Sequence, residues 1–289
     1  MPASDGMTIA AALRMGAAAL GRSPTAALDA RVLLRALLKI DDVGLIVEEG
    51  RVLSADEASA FEGMIARRAN DEPVAYITGV REFWSLPIAV EPGILVPRPD
   101  SETLVAEVLN RRDAQEAHRV LDLGCGSGAL LCAALSAMPN ATGTGVDISE
   151  CAVSLTNRNL LQLGFAARGA AIRGDWTAPL KGQFDIILSN PPYISESERG
   201  RLPRDVEAFE DPRALFAGPN GLSAYERLSV LLPAIAAPGA LMALELGAGQ
   251  AAAAAGLFSA AFPGARIETA DDFSGVERAL IVDLRGGPR

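Results

Sequence analysis

Apolar residues recur at helical spacing over residues 7–70. Two such series mark separate helices: Leu13, Ala17 and Leu20, followed by Leu28, Val32, Leu33 and Leu37. Ser54 and Glu57 have the spacing of a capping box, which indicates the start of a further helix. Because no strand-like alternation interrupts this region, we predict a helical domain over residues 1–72.

Proline and glycine punctuate residues 73–98, where the helical spacing ends. Two short apolar stretches, Leu86 to Val90 and Ile94 to Val96, flank the turn sequence Glu91-Pro92-Gly93. This arrangement predicts a short β-hairpin. We interpret residues 73–98 as a linker that contains the hairpin and leads into a second domain over residues 99–289.

From Val120 onward, apolar runs alternate with helical stretches. Helices are expected after Gly128, Ser149, Gly221 and Gly249. Candidate strands are Arg119–Leu123, Thr142–Val146, Ala170–Arg173, Phe184–Ser189, Ala240–Leu246, Arg266–Thr269 and Ala279–Asp283. Strands that alternate with helices imply a parallel sheet with helices on both faces. The second domain is therefore predicted to be α/β.

A glycine-rich segment, Gly124-Cys125-Gly126-Ser127-Gly128, follows the first of these strands. Glycine allows a sharp turn and lets a ligand approach the main chain closely. The spacing Gly-x-Gly-x-Gly differs from the fingerprint of dinucleotide-binding proteins, and Asp122 precedes it inside the strand. Both features suit a methyltransferase better than a dehydrogenase. The cofactor of a methyltransferase, S-adenosyl-L-methionine, has no phosphate, so this glycine loop is predicted to hold the amino-acid part of that cofactor.

Polar residues also follow the next two strands of the predicted sheet. Asp147 ends the second strand, where a carboxylate can accept hydrogen bonds from both ribose hydroxyls of the cofactor. Asp175 and Trp176 follow the third strand. The Asp175 carboxylate is expected to accept the adenine amino group, and the indole of Trp176 to pack on the adenine ring.

The Asn-Pro-Pro-Tyr loop, Asn190-Pro191-Pro192-Tyr193, directly follows the fourth strand. Ligands bind beyond the carboxyl ends of strands in open α/β sheets. Two prolines stiffen the backbone and remove two donors, which leaves the Asn190 side-chain oxygen and the Pro191 carbonyl as acceptors. Such a pair can orient a planar amide or amino nitrogen toward a methyl group, with Tyr193 packed against its plane. The loop does not by itself distinguish glutamine from adenine.

Composition and charge narrow the classes of partner. The 289 residues are 49% apolar and carry a net charge of −10, which argues against non-specific binding to DNA or RNA. The three scattered cysteines give neither a disulfide framework nor metal-ligand spacing, and no metal is expected. Neither a signal peptide nor an apolar run of the roughly 18 residues that a membrane span needs is apparent. The expected location is the cytoplasm.

Nearly all of the chain resembles the release-factor glutamine N5-methyltransferase family (PrmC/HemK). Besides the Asn-Pro-Pro-Tyr loop, the segments that carry this resemblance are Asp29–Leu34, Glu72–Gly79, Glu82–Trp84, Leu95–Glu102, Asp211–Leu215, Gly221, Glu245–Gly247, Gln250 and Asp272–Arg278. Many methyltransferases share the loop, so the helical domain, the linker and the Pro97-Arg98-Pro99 segment narrow the resemblance to this family. Asp100-Ser101 stands where the family more often has a Glu-Thr pair.

The resemblance implies a Rossmann-like, seven-stranded class I methyltransferase domain with its last strand antiparallel, preceded by a small all-α domain that helps to recognise the substrate. It implies methyl transfer from S-adenosyl-L-methionine to the glutamine of the Gly-Gly-Gln loop in bacterial class I peptide chain release factors, with S-adenosyl-L-homocysteine as product. By position, the residues that would hold the cofactor are Gly124 to Gly128, Asp147, Trp176 and Asn190. Asn190 to Tyr193 would hold the glutamine amide, and Arg98 and Glu102 are expected to line the site.

Three other functions stay open at this point. A nucleic-acid N-methyltransferase would use the same loop on adenine, although the acidic charge argues against it and no separate base-recognition domain is visible. A methyltransferase for glutamine in another protein, such as a ribosomal protein, is harder to exclude. A non-catalytic protein that binds adenosylmethionine would have no use for the acceptor pair. His118 and Cys125 are interpreted as a solvated strand-edge residue and a small loop residue, rather than as a base and a nucleophile.

Overall fold

The structure, a computed structural model, describes residues 6–286. The chain divides into two compact units. The first, here termed the helical unit, contains the residues up to Val80 together with Pro203–Phe209. The second, termed the sheet unit, contains Arg81–Leu202 and the residues from Glu210 onward.

Five helices form most of the described chain up to Thr78, and the last of them lies inside the predicted linker. They are α1 (Ile9–Ala19), α2 (Ala26–Leu38), α3 (Asp42–Val47), α4 (Ala55–Ala69) and α5 (Val74–Thr78). Their apolar faces meet in one core around the fully buried side chains of Ile9, Leu33 and Phe61. Ser54 and Glu57 form the predicted capping box at the start of α4.

The hairpin of the linker lies upstream of its predicted position. Its strands are β1 (Val80–Phe83) and β2 (Leu86–Ala89). Residues Ile94–Val96 form no strand, so their predicted pairing with Leu86–Val90 is wrong. The chain reverses instead at the two residues between β1 and β2.

The turn of this hairpin explains the difference. Trp84 and Ser85 have φ angles of 54° and 58°, a left-handed conformation that such side chains seldom adopt. The carboxylate of Glu102 accepts the Trp84 amide hydrogen at 2.7 Å, and that of Glu82 accepts the Ser85 amide hydrogen at 2.6 Å. Side chains outside the turn therefore stabilise a conformation that the turn sequence does not favour.

The sheet unit is built around a seven-stranded sheet in its described residues. The strands are β3 (Arg119–Leu123), β4 (Thr142–Asp147), β5 (Gly169–Arg173), β6 (Phe184–Ser189), β7 (Ala236–Glu245), β8 (Arg266–Asp271) and β9 (Glu277–Asp283). Their order is β5-β4-β3-β6-β7-β9-β8. Neighbours from β5 to β7 are parallel, whereas β9 runs antiparallel to β7 and β8. The predicted α/β fold with an antiparallel last strand is confirmed.

Helices cover both faces of this sheet. Those that follow the hairpin in the described residues are α6 (Glu102–Arg111), α7 (Ala129–Ala137), α8 (Glu150–Gln162), α9 (Arg204–Glu207), α10 (Pro212–Leu215), α11 (Ser223–Leu231) and α12 (Ala251–Ala261), of which α9 belongs to the helical unit. On one face Val120 packs in a core with Leu131 of α7, and on the other Leu121 packs in a core with Phe258 of α12. No helix within residues 6–286 combines the length and apolar character that a bilayer span requires.

The strand order defines where a ligand is expected to bind. From β3 the sheet extends to β4 on one side and to β6 on the other. Gly124 follows the carboxyl end of β3, and Asn190 follows the carboxyl end of β6. This edge is the topological switch point at which open α/β sheets bind their ligands.

Candidate active site

A cavity of about 370 Å³ lies at the switch point of the sheet unit, within the size range of small-molecule sites. The predicted site residues that line it are Gly124, Cys125, Gly126, Ser127, Asp147, Asp175, Trp176, Asn190 and Pro192. Gly128, Pro191 and Tyr193 are not among its lining residues. The cavity thus brings together residues that follow four different strands.

The glycine loop closes over the end of β3. All three of its glycines have positive φ: 72° at Gly124, 55° at Gly126 and 78° at Gly128. The amides of Gly124 and Cys125 both donate to the carbonyl of Val146, at 2.8 and 3.1 Å, and so join the loop to β4. A Cβ at Gly128 would lie 2.6 Å from Cγ2 of Thr156, so glycine is required there by packing as well as by conformation.

Asp147 at the end of β4 ties the glycine loop to the start of α8. Its Oδ2 accepts the amide hydrogen of Gly126 at 2.9 Å, and its Oδ1 accepts that of Ser149 at 2.8 Å. Each carboxylate oxygen has a further lone pair, and the side chain lines the cavity. Asp147 is therefore fixed in place and able to accept hydrogen bonds from hydroxyl groups of a ligand.

Asp175 and Trp176 lie after β5, at the side of the cavity. Trp176 has a φ of 52°, an unusual conformation for an aromatic residue, and its side chain packs against an apolar core of the sheet unit. The half-exposed carboxylate of Asp175 forms an ion pair with Arg227. The sequence did not indicate this ion pair, which competes with any ligand for the carboxylate.

The Asn-Pro-Pro-Tyr loop is bound to the sheet at both of its ends. The Asn190 Nδ2 donates to Oγ of Ser101 at 3.1 Å, and the Ser101 hydroxyl donates to Oε2 of Glu245. The Tyr193 hydroxyl donates to Oε1 of the same carboxylate at 3.1 Å. Nε2 of Gln250 donates to the carbonyl of Tyr193 at 2.8 Å. The amide oxygen of Asn190 forms no hydrogen bond within residues 6–286, while its side chain lines the cavity.

Two of the buried groups behind this loop have shifted acidity. Burial raises the pKa of Glu245, and the hydrogen bonds from Ser101 and Tyr193 and the charge of Arg278 oppose that rise. Burial and the neighbouring Glu245 carboxylate raise the pKa of Tyr193 far above its usual range. Tyr193 is therefore a hydrogen-bond donor at neutral pH and does not serve as a base.

Asp122, in the strand before the glycine loop, is an unpartnered buried acid. It is 1% exposed, and neither of its carboxylate oxygens has a hydrogen-bond partner among the described residues. Burial raises its pKa from the ordinary 3.8 to about 7, and the nearby charge of Asp147 adds to the rise. The backbone amide of Leu131 opposes the shift without completing a hydrogen bond.

Arg98 and Glu102 do not line the cavity, contrary to expectation. Arg98 Nη2 donates to both carboxylate oxygens of Glu210, at 2.8 and 3.0 Å, and Glu102 accepts the amide of Trp84. Arg98 thus forms an ion pair with a side chain, whereas Glu102 fixes the backbone of the hairpin turn. Residues 6–286 contain no group of three or more His, Cys, Asp or Glu side chains that could hold a metal ion.

Several residues at the site were not singled out from the sequence. Ser101 lines the cavity, as do the apolar residues Ile94, Leu95 and Pro97. Glu245 and Gln250 do not line the cavity, but both form hydrogen bonds with Tyr193 of the Asn-Pro-Pro-Tyr loop. All but Ile94 lie in segments that carry the family resemblance, and this was the signal that could have identified them.

Two family models match the chain in the order of its two units. The PrmC N-terminal domain matches residues 11–79, and the methyltransferase small domain matches residues 99–202. A release factor glutamine methyltransferase of Rhodospirillum rubrum is 41% identical, over 90% of this chain and 80% of the relative. Those of Bradyrhizobium diazoefficiens, at 39% over 95% and 94%, and of Cereibacter sphaeroides, at 37% over 98% and 99%, are similar across almost their whole length.

Solved structures support the architecture. A methyltransferase from Pyrococcus furiosus superimposes with a TM-score of 0.53 at 16% identity, over 77% of this chain and 98% of that one. A 16S rRNA N2 G1207 methyltransferase from Thermus thermophilus, in complex with AdoMet and guanosine, gives 0.53 at 18% identity, over 71% and 49%. At these identities the likeness concerns the fold, which is that of Rossmann-like methyltransferases.

Proposed function

The chain belongs to the release factor glutamine methyltransferase family, and we propose that it methylates the side-chain amide nitrogen of the glutamine in the Gly-Gly-Gln motif of class I peptide chain release factors. The observation that carries this proposal is the state of Asn190. Its amide nitrogen is bound to Ser101, and its amide oxygen is left as an acceptor at the cavity. A primary amide that enters the cavity needs such an acceptor to orient its N–H groups.

The methyl donor is S-adenosyl-L-methionine, and the cavity suits it chemically. When bound, it supplies a methyl group on a sulfonium that becomes a neutral thioether, so the site needs no strong acid. We propose that the glycine loop holds its methionine part, that Asp147 accepts its ribose hydroxyls, and that Asp175 and Trp176 border its adenine. The cationic cofactor also suits the carboxylate of Asp147, which lines the cavity.

The loop orients the substrate nitrogen, whose lone pair is delocalised into the amide. We propose that Asn190 Oδ1 accepts one of its N–H groups at the cavity, which directs the lone pair toward the methyl group. Pro191 does not line the cavity, so the predicted contact of its carbonyl with the second N–H group is not supported. Tyr193 does not line the cavity, so a direct contact with the plane of the amide is not supported. Its hydroxyl instead anchors the loop on Glu245.

We also propose a role for each of the three consecutive segments of the chain. We propose that residues 1–72 form the domain that recognises the release factor, that residues 73–98 link it to the rest, and that residues 99–289 carry out methyl transfer. A release-factor substrate places the reaction in the cytoplasm, where translation terminates. The net charge of −10 is unfavourable for a stable complex with nucleic acid.

A methyl-transfer assay tests the proposal. The purified chain is incubated with labelled cofactor and an unmethylated release factor, and the product is mapped by mass spectrometry. We expect one added methyl group on the Gly-Gly-Gln glutamine, and none when that glutamine is replaced by alanine. If a ribosomal protein or an adenine-containing oligonucleotide is methylated and the release factor is not, the proposed substrate is wrong.

A further inference from the structure

We propose that Glu245 is a positioning residue that acts through Ser101 to fix which end of the Asn190 amide faces the substrate. The inference rests on the proposed function, in which Asn190 Oδ1 accepts a hydrogen of the substrate amide. In this inference, residues outside the Asn-Pro-Pro-Tyr loop are required to orient the Asn190 amide. The polarity of its asparagine is set by a carboxylate on a different strand.

The need for such a device lies in the symmetry of the asparagine side chain. Its oxygen and nitrogen are nearly equal in size, and a half-turn about the last side-chain bond exchanges an acceptor for a donor. With Nδ2 toward the cavity, Asn190 would present N–H groups to a substrate nitrogen that itself carries two. That orientation would repel the substrate N–H groups and would draw on the lone pair that must reach the methyl group.

Hydrogen-bond polarity resolves this ambiguity. Glu245 is 1% exposed, and its ionised carboxylate has only acceptors. The Ser101 hydroxyl has a single hydrogen, which it donates to Oε2 of Glu245. Oγ of Ser101 can then only accept, and the group that it accepts from is Nδ2 of Asn190, at 3.1 Å. The amide oxygen of Asn190 is thereby directed away from Ser101.

The Glu245 residue that begins this series of hydrogen bonds is itself held by further hydrogen bonds. The Tyr193 hydroxyl binds Oε1, and the Tyr225 hydroxyl donates to the backbone carbonyl of Glu245 at 2.7 Å. The guanidinium of Arg278 donates to the carbonyl of the next residue, Leu246, at 3.2 Å. Burial raises the pKa of Glu245, whereas the hydroxyls of Ser101 and Tyr193 and the charge of Arg278 oppose that rise. The positioning role requires the ionised form, in which the carboxylate only accepts hydrogen bonds.

The three linked side chains join separate parts of the sheet unit. Glu245 ends β7, Asn190 follows β6, and Ser101 lies in a short 3-10 turn that leads into α6. Ser101 is itself 3% exposed, so both hydrogen bonds are largely shielded from bulk water. The arrangement serves orientation, because neither of the two bonds is needed to complete the sheet.

Variants at Glu245 and Ser101 test the inference by steady-state kinetics on release factor. In Glu245→Gln the side-chain amide can donate to Ser101, which lets the Ser101 hydroxyl turn to Asn190 Oδ1 and reverses the polarity. Ser101→Ala breaks the link, whereas Ser101→Thr keeps the hydroxyl. We expect the first two to lower kcat about tenfold to a hundredfold, with cofactor Kd changed by less than about threefold, and Ser101→Thr to recover kcat to within about threefold.

A matched control separates positioning from stability. Asp283→Asn removes a partly buried carboxylate that forms an ion pair with Arg112 at 2.8 Å, at the far end of the same sheet. It is expected to lower the melting temperature while the folded fraction keeps its kcat. Equal losses of kcat in Asp283→Asn and Glu245→Gln would overturn the positioning role. Ser101→Ala removes only one hydroxyl, so the test stands even where Glu245→Gln does not fold.

Two further comparisons make the outcome specific. Glu245 and Ser101 act in one series of hydrogen bonds, so the double variant Ser101→Ala with Glu245→Gln is expected to be no slower than the slower single variant. A loss of kcat equal to the product of the two single losses would overturn the inference. Asn190→Ala tests the proposed function separately. If Asn190→Ala is inactive while Glu245→Gln and Ser101→Ala keep full kcat, the positioning role of Glu245 through Ser101 is wrong and the proposed function stands. If Asn190→Ala keeps full kcat, the proposed use of the loop is wrong.

Discussion

The hydroxyl of Tyr193 donates a hydrogen bond of 3.1 Å to Oε1 of Glu245, so the last residue of the Asn-Pro-Pro-Tyr loop is fastened to strand β7. Tyr193→Phe keeps the ring and removes this bond to a buried carboxylate. We expect the free energy of unfolding to fall by about 1.5–3 kcal/mol, the usual value for a hydrogen bond to a charged group. Urea unfolding followed by circular dichroism measures the loss.

Tyr225→Phe provides the matched control for this prediction. Its hydroxyl is also buried and donates to the same residue, but to the neutral backbone carbonyl of Glu245. Its removal is expected to cost about 1 kcal/mol, because the acceptor carries no charge. A cost at Tyr225 equal to or above that at Tyr193 would mean that the charge of Glu245 does not strengthen the Tyr193 bond.

Asp147→Ala is expected to weaken cofactor binding by roughly 1–3 kcal/mol, about tenfold to a hundredfold in Kd. The carboxylate lines the cavity and is held by two backbone amides, so it meets ribose hydroxyls without reorganisation. Isothermal titration calorimetry measures the change. Asp175→Ala serves as comparison and is expected to weaken binding less, because Asp175 is half-exposed and already paired with Arg227. Unchanged affinity in Asp147→Ala would refute the ribose contact.

The sequence was sufficient to place the glycine loop and the Asn-Pro-Pro-Tyr loop. Strand β3 is an apolar run that ends in three glycines at alternate positions, and strand β6 is an apolar run that ends in two prolines. Local sequence dictates such features, since glycine permits the positive φ angles and proline terminates the strand. The position of both loops at one edge then follows from parallel pairing of the two strands.

The support of these loops could not be predicted in the same way. Ser101 and Glu245 are 144 positions apart and meet only because α6 and β7 pack in one unit. The beginning of β7 at Ala236 was missed because Pro238 and Gly239 are typical of a loop. The turn at Trp84 is held by carboxylates elsewhere in the chain. Contacts of this kind depend on the tertiary structure and leave no local pattern.

Gly128→Ala is expected to destabilise the chain by more than conformation alone explains. Gly128 and Gly164 have nearly equal φ angles, 78° and 80°. A Cβ at Gly164 would meet nothing within 4 Å, whereas one at Gly128 would lie 2.6 Å from Thr156, whose hydroxyl is bound to the Gly126 carbonyl. Gly164→Ala should therefore cost about 1 kcal/mol and Gly128→Ala at least about 2 kcal/mol more. Equal melting temperatures of the two variants would contradict the packing argument.

Asp122→Asn is expected to change how stability depends on pH. The folded-state pKa of Asp122 is about 7, against an ordinary value of 3.8, so between these values the folded chain binds a proton that the unfolded chain has released. The stability that this group contributes is fully present below about pH 4, falls by at most about 1.4 kcal/mol per pH unit as the pH rises, and levels off above about pH 7.

The nearly isosteric amide in Asp122→Asn cannot ionise, so it removes this fall. The free energy of unfolding, measured in urea at about pH 5 and about pH 8, should therefore decrease more in the wild type than in the variant. All other titrating groups are shared, so the difference between the two proteins isolates Asp122. Asp56→Asn, at an exposed position in the helical unit, controls for the loss of one negative charge. If wild type and Asp122→Asn show the same change between the two pH values, the buried carboxyl does not hold its proton in the folded chain. The buried acid in β3 would then be charged in the folded chain above about pH 4.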